Sequence, residues 1–101
     1  MHHGTSNAVL LPPVMSFNGT VAAGRLKDLT VAMGAEPTVV AAIQRVLEVN
    51  PLCGIGTLRD YRVTEDMIVP MAAKAMEDGC HLCNPREVNE ADMIQRHREA
   101  M

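Results

Sequence analysis

Aromatic side chains are almost missing from this sequence: Phe17 and Tyr61 stand alone among 101 residues, and there is no tryptophan. A core without large rigid rings must be filled by aliphatic residues and by the eight methionines, which adapt their shape readily but specify packing weakly. Basic runs are missing too, and the formal net charge is −3, which excludes nucleic acid and an anionic membrane as expected partners. No apolar run approaches the roughly 20 residues of a membrane span, and the longest is broken by Pro12 and Pro13. There is no basic segment ahead of that run and no small-residue cleavage site, so no signal peptide is expected. Three cysteines, an odd number, suit a reducing compartment, and the cytoplasm is the expected location. A chain of this length makes at most one domain.

What is present is helical periodicity, and the sequence predicts an all-α chain of about five helices with no strand. The first spans residues 5–17, with Thr5, Ser6 and Asn7 as cap candidates and an apolar run through Ala8, Val9, Leu10, Leu11, Val14, Met15 and Phe17. A run without a polar face belongs in an interior. Pro12 and Pro13 remove the amides that would bond back to Ala8 and Val9, so a kink is expected. Ala22, Leu26, Leu29 and Met33 mark the second helix, which stops at Gly34.

A third helix should begin near Glu36 with Pro37 in its first turn, carry a stripe of Val39, Val40, Ile43, Val46 and Leu47, and end at Asn50 and Pro51. Residues 52–63 lack periodicity and read as a connector. Thr64 opens the fourth helix, whose stripe of Met67, Ile68, Met71, Ala72, Ala75 and Met76 passes through Pro70 and closes at Gly79. Asn89 caps the last, residues 89–101, which should bury Met93, Ile94 and His97.

Several of these segments resemble a known family. His3-Gly4-x-x-Asn7, an apolar helix carrying Leu10-Leu11-Pro12-x-Val14-Met15, and then Phe17-Asn18 are similar to the C-terminal helical domain of the iron-containing alcohol dehydrogenases. Thr57-Leu58-Arg59-Asp60 and the Ala75-Met76-Glu77-Asp78-Gly79-Cys80…Asn84-Pro85-Arg86 ending extend the resemblance over nearly the whole chain, closest to the simple alcohol and lactaldehyde reductase branch. Pro13 and His2 depart from the pattern, standing where the family commonly has a histidine and a proline. The resemblance implies that residues 1–101 are the C-terminal part of a dehydroquinate synthase-like helical metal-binding domain, the nucleotide-binding domain lying outside the sequence. It implies His3 as one ligand of a catalytic divalent metal, iron or alternatively zinc, the aspartate and other histidines of the set lying upstream.

The implied activity of the complete enzyme is NAD(P)-dependent hydride transfer between a small alcohol and its aldehyde or ketone. Neither metal nor nucleotide is expected to bind firmly to this chain alone, since one imidazole cannot hold a divalent cation. Its expected partner is the missing N-terminal part, or a second copy through an exposed apolar face. A stand-alone helical interaction module without catalysis is the alternative.

Cys80-His81-Leu82-Cys83 has the spacing of a zinc half-site or a redox pair. It follows a helix instead of opening one, and its histidine lies between the cysteines, so small thiols in a turn are the expected reading. Arg86 is expected to pair with Asp78 or Asp60. The methionine stripe and His97 are expected to pack, not to ligate.

Overall fold

The computed structural model describes residues 2–101. Among them five α-helices form and no strand: α1 (His3–Asn18), α2 (Ala23–Ala32), α3 (Val39–Leu52), α4 (Glu65–Glu77) and α5 (Glu90–Glu99), with short 3₁₀ helices at Leu58–Tyr61 and Gly79–Cys83. Helix α1 lies between two pairs. It packs on α3 and on α5, while α2 lies on α3 and α4 on α5. Its apolar sequence thus finds cover on both flanks, and Val9, Pro12, Pro13, Met15 and Phe17 are buried.

Both prolines are accommodated inside α1, which runs from His3 to Asn18 without a break in its helical assignment. The Asn50 side chain resolves part of the problem they create. Pro12 leaves the Ala8 carbonyl without its helical amide, and Asn50 Nδ2 donates to that oxygen at 2.9 Å. A residue expected to end α3 instead fastens α3 to α1. Helix α3 runs past Pro51 to Leu52, and its start is Thr38, whose hydroxyl accepts from the Ala41 amide at 3.1 Å; Pro37 lies outside it.

Two predicted stripes are rotated. On α2 the buried residue is Thr30, whose hydroxyl donates to the Leu26 carbonyl at 2.6 Å, while Leu29 is half out of the fold. On α3, Ala42 is fully buried and Val39, Ile43 and Val46 are half-buried, whereas Val40 and Leu47 face outward. Gly34 adopts a left-handed conformation with φ +74°, as the stop after α2 requires. Gly19 is needed for a different reason: a Cβ there would lie 2.7 Å from Val39 Cγ1, where α1 and α3 approach.

The segment expected to be a mere connector belongs to the core. Leu58 is 1% exposed and clusters with Val9, Val63 and Ala100, and its amide donates to the Ala100 carbonyl at 2.9 Å. Its 3₁₀ turn is fixed by Asp60, which accepts from the Thr57 amide at 2.7 Å, and is ended by Arg62 in a left-handed conformation. Aperiodic sequence hid it because a single turn carries no repeat.

The molecule is a slab of 37 × 30 × 18 Å, less than two helix diameters thick. Its surface of 6493 Å² exceeds the roughly 5,600 Å² expected for a folded chain of this mass. Large apolar side chains are part of that surface: Leu52 is 82% exposed and Leu82 78%, with Val21, Val31, Val40 and Val69 also at the surface. The Asn50 contact supports a specific expectation. Asn50→Ala should destabilise the fold by about 1–2 kcal/mol by chemical denaturation, and most of that loss should vanish in a Pro12→Ala background, where an amide is returned to the Ala8 carbonyl. Equal losses in both backgrounds would refute the assignment.

Candidate metal ligand and the adjoining cleft

Helix α1 begins two residues earlier than its Thr, Ser and Asn cap candidates suggest. His2 is the N-cap: its Nδ1 accepts from the Gly4 amide at 3.2 Å, which places the ring proton on Nε2. Ser6 turns its hydroxyl back onto the His2 carbonyl at 3.2 Å. An imidazole can therefore do what a short hydroxyl usually does at this position.

His3 follows in the first helical turn, exposed, with Nε2 3.3 Å from the Asn7 amide nitrogen one turn on. That first turn holds no acidic residue. A divalent cation there would face the positive end of the helix with one neutral imidazole, so carboxylate must come from elsewhere. Among the described residues no group of three or more His, Cys, Asp or Glu side chains could hold a metal ion. The residues present thus fit one ligand position and not a complete metal site.

Asn7 leads from His3 into a cleft of about 660 Å³. Leu10, Val14 and Phe17 of α1 form one wall, Met93 and His97 of α5 another, and Cys80, His81 and Cys83 a third. His97 is buried with Nδ1 2.7 Å from the Met93 carbonyl, a packed residue as expected. The segment Gly79–Cys83 is itself a 3₁₀ turn, capped by Asp78, whose carboxylate accepts from the Cys80 amide at 3.1 Å. Hydrogen bonds from the Cys80 thiol and amide hold the Asp78 carboxyl below the usual carboxylate range. The same carboxylate pushes the Cys80 thiol up, by accepting its proton in a hydrogen bond and by its charge. All three cysteines are free and exposed.

Asn84-Pro85-Arg86 does more than stop a helix. Asn84 and Asn18 exchange a reciprocal pair of amide hydrogen bonds, at 2.8 and 3.0 Å. Arg86 does not pair with Asp78 or Asp60. Its Nη1 donates to the Phe17 carbonyl at 3.0 Å, and its guanidinium lies over the Phe17 ring, 3.9 Å from the centroid. Arg96 lies over the same ring at 4.8 Å, paired with Glu99, while its Nε is buried without a partner. The end of α1 left orphan carbonyls and one large ring, and two arginines meet that need. Only the apolar setting of Phe17 hinted at this in the sequence; its partners lie about 70 to 80 residues away in the chain.

An α-helical layer with an exposed histidine at the head of its central helix, and a cleft lined from Asn7 onward, defines a small all-α domain. The chain belongs to the iron-containing alcohol dehydrogenase family, whose C-terminal model matches residues 1–101. It is similar to a 4-hydroxybutyrate dehydrogenase of Cupriavidus necator, 37% identical over 100% of this chain and 28% of the relative. A lactaldehyde reductase of Escherichia coli strain K12 is 33% identical over 97% of this chain and 28% of its own length. A crystal structure of a 1,3-propanediol oxidoreductase superposes with a TM-score of 0.93 at 33% identity, covering all of this chain and 28% of that one. The chain therefore spans little more than a quarter of the length of the relatives it matches.

The Asp78–Cys80 pairing has a measurable sign. A thiol held up by a carboxylate ionises at higher pH, so Asp78→Asn should move the pH–rate profile for Cys80 alkylation to lower pH and speed modification at neutral pH. An unchanged profile would show that Asp78 does not restrain the thiol.

Proposed function

We propose that this chain supplies the C-terminal helical part of an NAD(P)-dependent alcohol dehydrogenase, with His3 as its contribution to a catalytic divalent metal site, iron in the first instance. The observation that supports this reading is the family match over residues 1–101, combined with a relative of the same fold more than three times as long. In the complete enzyme the reaction is hydride transfer between a small alcohol and the nicotinamide ring. The relatives named above are called dehydrogenases and reductases of short oxygenated compounds, which supports a small alcohol or aldehyde as substrate.

One imidazole, that of His3, is this chain's proposed share of the metal site. The remaining ligands and the nucleotide site are expected from polypeptide outside these 101 residues. The exposed Leu52, Leu82, Val31 and Val40 fit a surface completed by that polypeptide or by a second copy. A non-catalytic helical module draws support from a different observation, the closed cluster of Val9, Leu58, Val63 and Ala100 within the chain. No described helix is long and apolar enough to cross a membrane.

Two measurements separate the readings. The purified chain, supplied with ferrous iron, NAD⁺ and 1,3-propanediol, should give no NADH above the protein-free rate; sustained turnover would sink the proposal that it needs further polypeptide. Sedimentation should show self-association that weakens when Leu52 and Leu82 are both replaced by serine. A strictly monomeric chain with a sharp, cooperative melt would favour the independent module.

A further inference from the structure

Cys80 and Cys83 lie three residues apart on the 3₁₀ helix Gly79–Cys83. With three residues per turn, side chains at this spacing eclipse one another, about 6 Å apart along the axis. That separation falls within the roughly 4.4–6.8 Å that a disulfide spans between Cα atoms. Independently of this spacing, both residues line the same cleft, and both are exposed. Asp78 orders the turn through the Cys80 amide at 3.1 Å and through its own carbonyl, 2.7 Å from His81 Nδ1. Cys53, at the end of α3, lies outside the cleft lining.

We propose that Cys80 and Cys83 form a reversible dithiol–disulfide pair, closing a small ring through His81 and Leu82 on the wall of the cleft. A metal is not the reading that fits, since no described group of three or more candidate ligands exists. The co-reactant is a low-molecular-weight disulfide such as glutathione disulfide. In one order of attack the Cys83 thiol gives its proton to solvent and its sulfur bonds to one glutathione sulfur, expelling the other as a thiolate, which takes up a proton. Cys80 then loses its proton to solvent and attacks the Cys83 sulfur of the mixed disulfide, releasing a second glutathione. Two protein thiols are oxidised and one glutathione disulfide is reduced to two thiols.

The ring closes beside Asn84, whose amide bonds tie residues 84–86 to the end of α1. Oxidation therefore acts on the turn that anchors the central helix, next to the cleft. This inference stands apart from the dehydrogenase reading and survives or fails without it.

The test equilibrates the full chain in glutathione buffers of stepped ratio, quenches with acid, alkylates the free thiols and maps tryptic peptides by mass. As the buffer becomes oxidising, the peptide of residues 75–86 should lose two hydrogens without gaining glutathione, and two of the three protein thiols should disappear together. Cys53→Ser should leave this transition in place. Cys80→Ser and Cys83→Ser should each abolish it and leave the remaining thiol carrying glutathione. Independent glutathionylation of Cys80 and Cys83 in the unmodified chain, or bonds from either to Cys53 or to a second molecule, would overturn the proposal.

Discussion

Two prolines in the middle of the most apolar helix set the terms for everything around them. Pro12 and Pro13 cannot donate hydrogen bonds, so α1 carries carbonyls that its own backbone cannot satisfy. It must then be flanked by an element able to supply a donor at that depth. Asn50 on α3 does so for Ala8. At the far end of the same helix, the Phe17 carbonyl takes a hydrogen bond from Arg86 and Asn18 pairs with Asn84. The central helix is thus held by polar side chains from α3 and from the segment between α4 and α5, while its apolar side chains supply the burial. A helix merely immersed in aliphatic surface would slide; these contacts give it a register.

This arrangement explains why family resemblance and site chemistry part company. The packing that recognises α1 is present within 101 residues, from Asn50 to Arg86. The chemistry needs more than α1 presents: His3 stands exposed at its head beside Asn7, without a carboxylate in its turn. What the fold presents there is an exposed imidazole at the head of the central helix, hydrogen-bonded to Asn7, which lines the cleft.

Much of the helical layout was legible because burial repeats with the helical period. The starts of α4 and α5 and the stop at Gly34 were readable from cap chemistry, and the Asn89 cap is reinforced by Asp92 in a reciprocal pair. Thr64 sits at the predicted position, although its hydroxyl points to the Asp66 carboxylate instead of accepting from an amide. Illegible features share a cause. The core role of Leu58, the donor role of Asn50 and the stacking of Arg86 on Phe17 each depend on a partner distant in sequence. Periodicity within a segment carries no information about which distant polar group will be orphaned. His2 was missed for a local reason, since imidazole is not among the side chains commonly expected at a helix start.

The central position of α1 also orders events in time. It leaves the ribosome before both helices that cover it, and 81 residues separate Asn18 from Glu99 at the end of α5. At synthesis rates of about 5–20 residues per second, that interval lasts roughly 4–16 s. Until then α5 cannot cover its flank of α1. The helix that unites these elements therefore waits, during synthesis, for α5 to cover one of its flanks.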